Sequence, residues 1–212
     1  MPPDQTLLAF DTSAAHCAAA LLSRGQIIAS VTEPMAKGQA ERLMPLLEEV
    51  LKSAGAGWRD LDALAVGVGP GNFTGIRIAV SAARGLALGL GRPAIGVTQF
   101  EALAHGLPRP LIVAEDARRG MIYLQGFGIG PSGAALMTDA EAQQIAGGAA
   151  ATGSAAERLG GPVLLPGLPV AEAMAHVAAA KPQGQPRPAP FYLRAADATP
   201  SSDPPPVILD AP

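Results

Sequence analysis

One cysteine and eight aromatic residues (five Phe, two Tyr, one Trp) are all that 212 residues contain of these types. The single Cys17 excludes an internal disulfide, and its Ala-rich surroundings read as a buried, inert thiol in a protein of the reducing cytoplasm. Aromatics make up 4% against 49% hydrophobic residues, so any core must be built from Ala, Leu, Val and Ile. Charge is scarce as well, at 16% with a net −3 and a pI of about 5.6. Without a Lys/Arg run, the chain lacks the basic footprint of a strong independent nucleic-acid binder. No Lys or Arg precedes Arg24, so the opening residues lack the charged start of a signal peptide. No uninterrupted apolar run approaches the roughly 18 residues of a membrane helix, and no membrane partner is expected. The three histidines, His16, His105 and His176, stand too far apart for an HxxxH or HExxH zinc pair. A G-x-S-x-G elbow is also missing. So few acids, bases and ligands support catalysis poorly.

What is present centres on residues 63–91, ALAVGVGPGNFTGIRIAVSAARGLALGLG. An apolar strand (63–68) breaks at Gly69-Pro70-Gly71 and restarts as a helix after Phe73-Thr74, with Thr74 the expected N-cap. Strand, glycine turn and helix start is a geometry that can present backbone N–H groups to an anion. Two phosphate-binding patterns nevertheless fail. A Walker A loop needs Gly-Lys-Ser/Thr, and no lysine lies between Lys52 and Lys181; a dinucleotide fingerprint needs Gly or Ala where Asn72 or Thr74 stands. A packed strand–helix turn is the simpler reading. On a wheel the following helix is apolar around most of its circumference, with only a narrow strip through Arg77, Ser81 and Arg84. Such a helix is either central to the core or covered by another protein on its second side.

In chain order, residues 7–11 read as a strand ending in the turn Asp11-Thr12-Ser13, and 16–22 with 26–31 as a hairpin. Sugar kinases, actin and Hsp70 open in this way. Asp11 is expected to hydrogen-bond its own turn. Meeting Glu115 or Asp116 across a cleft is the alternative for it. An amphipathic helix follows over 39–54, with Leu43, Leu47, Val50, Leu51 and Ala54 inward, Met44 and Leu46 flanking, and a kink or 3₁₀ turn at Pro45. A strand at 94–97 and a helix over 98–105 lead to the hinge Leu107-Pro108-Arg109-Pro110. Strands at 111–115 and 121–127, short helices at 139–146 and 155–160, a strand at 163–165 and a helix at 169–180 complete the pattern. Nine prolines between Pro182 and Pro212 predict an extended or disordered end.

Taken together, LLAFDTS, QAERLMPLLEEVL, DALAVGVGPGNFTGIRIAVSAARGLALG, EDARRGMIYLQGF and PFYLR resemble the TsaB (YeaZ) family over roughly residues 7–194. That family belongs to the bacterial machinery that makes threonylcarbamoyladenosine at adenosine 37 of tRNA. The resemblance implies an actin/Hsp70/sugar-kinase-like (ASKHA) fold of two related α/β domains. These would be residues 1–106, carrying the partner-binding helices, and 107–194, with 195–212 a flexible Pro-rich tail. It also implies a non-catalytic subunit that pairs with the transferase TsaD, is joined by the ATPase TsaE, and forms a homodimer when alone. ATP and metal would then sit on partner subunits, with no cofactor here, and tRNA would be reached only through the complex. Many members carry a histidine before the ERLxP segment; Gln39 takes that place here, removing the last hint of a metal ligand.

Carried onto this chain, the family's partner contacts run through helices 39–54 and 75–91, with Met44, Leu47, Leu51, Ile78, Ala82 and Leu86 as the interface candidates. Gly69, Pro70, Gly71, Phe73, Thr74, Gly75 and Arg77 match the family motif and shape the helix entry, with Arg77 pairing across the interface. The competing expectation is an independent enzyme of the same fold, an ATP-dependent phosphotransferase or a peptidase. A phosphotransferase would need a second glycine-rich turn, for which Gly147-Gly148 and Gly160-Gly161 are the nearest material.

Overall fold

The computed structural model describes residues 5–130 and 133–194. Its centre is β1 (Thr6–Asp11), whose Leu7–Phe10 run is buried on both faces, as an apolar run without alternation requires. The strand pairs antiparallel with β2 (His16–Ser23) and parallel with β4 (Ala63–Gly67). Outside these lie β3 (Gln26–Pro34), antiparallel to β2, and β5 (Ala94–Val97), parallel to β4, giving the order β3-β2-β1-β4-β5.

Because side chains alternate along a strand, this sheet offers two apolar faces. Leu8, Phe10, Cys17, Ala19, Leu64 and Val66 point to one, where α1 (Gln39–Ser53) and α2 (Phe73–Leu90) cover them. Leu7, Ala9, Ala63, Ala65 and Val97 point to the other, beneath α3 (Gln99–Ala104) and α5 (Val170–Ala180). Each Leu or Phe so buried contributes about 1.5–3 kcal/mol.

The second sheet runs β8-β7-β6-β9, from β6 (Leu111–Asp116), β7 (Met121–Phe127), β8 (Ala135–Thr138) and β9 (Ala151–Thr152). Ile112, Ala114, Ile122 and Leu124 pack there against Ala142 and Ala146 of α4 (Asp139–Ala146). A capping box starts α4, Thr138 Oγ1 accepting from the Glu141 N–H while the Glu141 carboxylate accepts from the Thr138 N–H at 2.8 Å. Phe100 and Ala104 of α3 join the halves by packing on Leu111 and Val113.

Several expectations are corrected. Residues 155–160 form a 3₁₀ turn at Ala156–Leu159, and the expected strand 163–165 is reduced to one bridge between Val163 and Ala151. The two-residue β9 and the short β8 carried too little pattern to be read. Helix α1 continues through Pro45 without a 3₁₀ segment. A boundary near residue 107 separates the two sheets but not the helices, since α5 crosses back onto the first sheet. The predicted tail, 195–212, lies outside the described residues.

Helix α2 is also 18 residues long and apolar enough on average to cross a bilayer. Here it seats Ile76, Ala79, Val80 and Ala83 in the core and turns Arg77 and Arg84 outward. A central core helix is therefore excluded. Its second side is bare, with Leu88 84% exposed.

Candidate functional site

Two loops meet where β1 and β4 end. The Asp11-Thr12-Ser13 turn lies against the start of α2 and is bonded to it atom by atom. The Asn72 N–H donates to the Ser13 carbonyl at 2.6 Å, and the Thr12 hydroxyl donates to the Gly75 carbonyl at 2.6 Å. Asn72, not Thr74, caps the helix: its Oδ1 accepts from the Gly75 N–H at 2.9 Å. Thr74 is exposed in the first turn.

This contact explains the glycines. A Cβ on Gly75 would meet the Thr12 carbonyl oxygen, one on Gly71 the Ser13 carbonyl oxygen, and one on Gly67 the Asp11 Oδ1. Gly69 takes φ 98°, and its carbonyl accepts the N–H of Gln99 at 2.9 Å. Within the Gly-Pro-Gly turn, Gly71 thus lets the turn pack against the β1 exit, and Gly69 supplies the positive φ beside Ile76.

Asp11 is fully buried, and its Oδ2 accepts from the Ser13 N–H and hydroxyl, both at 3.0 Å, and meets His16 Nε2 at 2.7 Å. Its Oδ1 has no hydrogen-bond partner among the described residues. The expected turn bonding is therefore found. A pairing with Glu115 or Asp116 is not, because those two line a cleft of about 750 Å³ between the halves in which Asp11 has no share. In the cleft wall, Glu115 accepts from the Ser154 N–H at 2.7 Å, and Asp116 is held by Arg158 at 2.9 Å. Burial pushes the Glu115 carboxyl above its ordinary value, partly opposed by the Ser154 N–H. The Cys17 thiol is pushed up to about 11, first by burial and then by Glu33, which leaves it unreactive. Among the described residues no cluster of three or more His, Cys, Asp or Glu could hold a metal.

At the cleft mouth Phe73 stacks on Tyr192, ring centroids 5.0 Å apart. The Arg77 guanidinium lies 3.8 Å over the Phe73 ring and donates from Nε to the Tyr192 hydroxyl at 3.1 Å. Arg77, expected to pair across an interface, therefore already has partners within its own chain. Tyr192 lies in the PFYLR segment that carries part of the family resemblance, but nothing local in that segment shows that it reaches Phe73 and Arg77.

Of the six interface candidates, Leu47 and Leu51 are core residues, 0% and 2% exposed, with no surface to offer a partner. They sit on the α1 face that covers the sheet. Met44 is 38% exposed, and Ile78, Ala82 and Leu86 are half-buried along the outer edge of α2.

Two α/β halves with a cleft between them, and a β1–β2–β3 opening whose acidic turn faces a glycine turn, define the actin/Hsp70/sugar-kinase class. Component A of (R)-2-hydroxyglutaryl-CoA dehydratase from Acidaminococcus fermentans shares the fold alone, with a TM-score of 0.52 at 11% identity over 82% of this chain and 96% of its own. The family model for TsaD, tRNA N6-adenosine threonylcarbamoyltransferase, matches residues 26–144. The tRNA threonylcarbamoyladenosine biosynthesis protein TsaB of Escherichia coli is 38% identical over 122 residues, 55% of this chain and 52% of that protein. The chain thus spans about half the length of the curated TsaB relatives it matches. The solved YeaZ from Pseudomonas aeruginosa superposes with a TM-score of 0.68 at 30% identity, covering 82% of this chain and 91% of its own. The chain belongs to the TsaB/YeaZ family.

Proposed function

We propose that this chain serves tRNA threonylcarbamoyladenosine biosynthesis as a non-catalytic partner of a TsaD-type transferase, in the cytoplasm and away from membranes. The observation that carries this reading is the outer face of α2. Gly85 and Gly89 stand one turn apart on it, and a Cβ at either would meet nothing within 4 Å. A helix-interior glycine destabilises by about 1 kcal/mol relative to Ala, and nothing among the described residues requires either one. Beside them run Ile78, Ala82 and Leu86, with Met44 exposed on α1. Small residues at one-turn spacing, flanked by apolar ones, suit the close approach of a second helix. TsaD is the occupant proposed, with a second copy of this chain in its absence and TsaE joining the pair.

In this reading ATP and metal chemistry belongs to the partners, and tRNA is engaged by the assembled complex. The test is reconstitution. Purified TsaD, TsaE and the separate synthase that makes the threonylcarbamoyl adenylate donor in this family are incubated with unmodified tRNA, with and without this chain, and the modified nucleoside is quantified after digestion. Product that depends on the chain, and survives Glu115→Gln and Asp116→Asn in its cleft, supports a non-catalytic role. Product formed equally without it, or abolished by those cleft substitutions while assembly persists, contradicts that role.

A further inference from the structure

Helix α2 has a second edge unlike the first. Arg77, Ser81 and Arg84 follow one another at helical spacing, centred about 100° around the helix from the Ile78–Ala82–Gly85–Gly89 strip. With Val80 and Pro190 they line an open groove of about 440 Å³. Among the described residues, no carboxylate lies within ion-pair distance of either guanidinium, although Arg42 and Arg158 each hold two. Two guanidinium groups without a carboxylate partner, Arg77 held only by Phe73 and Tyr192, share one groove with a hydroxyl and suit an anion. At its end, next to Arg77, stands the Phe73–Tyr192 stack, with the rings 42% and 41% exposed. Guanidinium groups along a groove with aromatic rings at its mouth combine the two contacts that single-stranded nucleic acid needs, phosphate neutralisation and base stacking.

We infer that this edge of α2 contacts RNA, the phosphodiester backbone lying along Arg77, Ser81 and Arg84 with a base against the Phe73–Tyr192 stack. The inference rests on the proposed role in tRNA modification, and it assigns this chain a direct share in holding the tRNA once the complex has formed. An acidic protein surface would meet the same guanidinium groups. RNA is favoured because the apolar strip already offers a separate face to a protein, and because exposed rings add nothing to the binding of carboxylates. The net charge of −3 keeps the contact local, so it reinforces binding by the complex rather than replacing it.

The experiment titrates a fluorescein-labelled, unmodified tRNA transcript with the assembled pair of this chain and its transferase, following anisotropy from about 50 to 200 mM salt. Arg77→Ala/Arg84→Ala is expected to weaken binding at least about tenfold and to flatten the slope of log K against log salt by about 1.4–1.8, the loss of two phosphate contacts. Assembly, read by light scattering, stays intact. Phe73→Ala weakens binding severalfold with the slope unchanged. Equal affinity and slope in the double variant overturn the inference. So does loss of assembly, which would make the groove a protein contact. If the wild-type chain does not assemble at all, the pairing proposal is what fails, and the chain alone is titrated with the same transcript. Weaker binding by the double variant then upholds the RNA edge, whereas equal or absent binding overturns it.

Discussion

Gly75 and Glu115 show how single residues divide between holding the fold and lining the cleft. A methyl on Gly75 would collide with the Thr12 carbonyl oxygen, a backbone atom that can move only if the β1 exit moves with it. Gly75→Ala is expected to destabilise by about 1–3 kcal/mol, read as an earlier urea midpoint at unchanged m-value. An unchanged midpoint would mean the two loops are not locked. For Glu115 the sign follows from the raised pKa. The folded state disfavours the ionised carboxyl, so the unfolded chain ionises first, and stability falls as pH rises from the ordinary value of 4.5 through the raised one. Glu115→Gln retains an acceptor for the Ser154 N–H and removes the charge. Its melting temperature should exceed wild type at pH 7, with the gap closing by about pH 4. A gap that persists there would mean something other than ionisation separates the two proteins.

At the scale of elements, α2 is where sequence and structure inform each other most. Its surplus of apolar residues was plain from the wheel, but the wheel could not show which residues its own sheet covers. Periodicity alone is silent on direction, and only the positions of Ile76, Ala79, Val80 and Ala83 against β1 and β4 decide it. For α1 periodicity placed Leu47 and Leu51 on the inward stripe, where they are core, and it was the family resemblance that put them among partner contacts. The cap was misassigned for a local reason: Asn72 and Thr74 both suit an N-cap, and the choice depends on where the Ser13 carbonyl lies. Gly85→Ala/Gly89→Ala separates propensity from docking. Free of neighbours, the two methyls should raise the stability of the chain by about 1–2 kcal/mol. Held within a close helix–helix contact, they should weaken pairing with the transferase at least about tenfold, measured by isothermal titration calorimetry. Tighter or equal pairing would remove the glycines from the interface.

For the whole molecule, the first half was legible because its signals are strong: LLAF and ALAV as buried strands, a hairpin around Arg24-Gly25, and long helices. In the second half β6, β7, α4 and α5 were legible. Between them, β8 and β9 are too short to carry a period. The return of α5 to the first sheet is a long-range choice that its Ala-rich sequence does not encode locally. The groove along Arg77 and Arg84 was visible only as a narrow polar strip, since Tyr192 and Pro190 reach it from the far end of the described chain. In the proposed assembly the bare face of α2 docks on a TsaD-type transferase. Gly85 is the position to probe, because a Cβ there would meet nothing within 4 Å among the described residues. Light scattering of a mixture with the cognate transferase tests it most directly. Wild type is expected to elute at the summed mass of the pair, while Gly85→Glu melts no lower than wild type and elutes alone, since a charge buried in an apolar contact is strongly unfavourable. A wild-type chain that never leaves its own mass, or a Gly85→Glu variant that pairs as well as wild type, would contradict it.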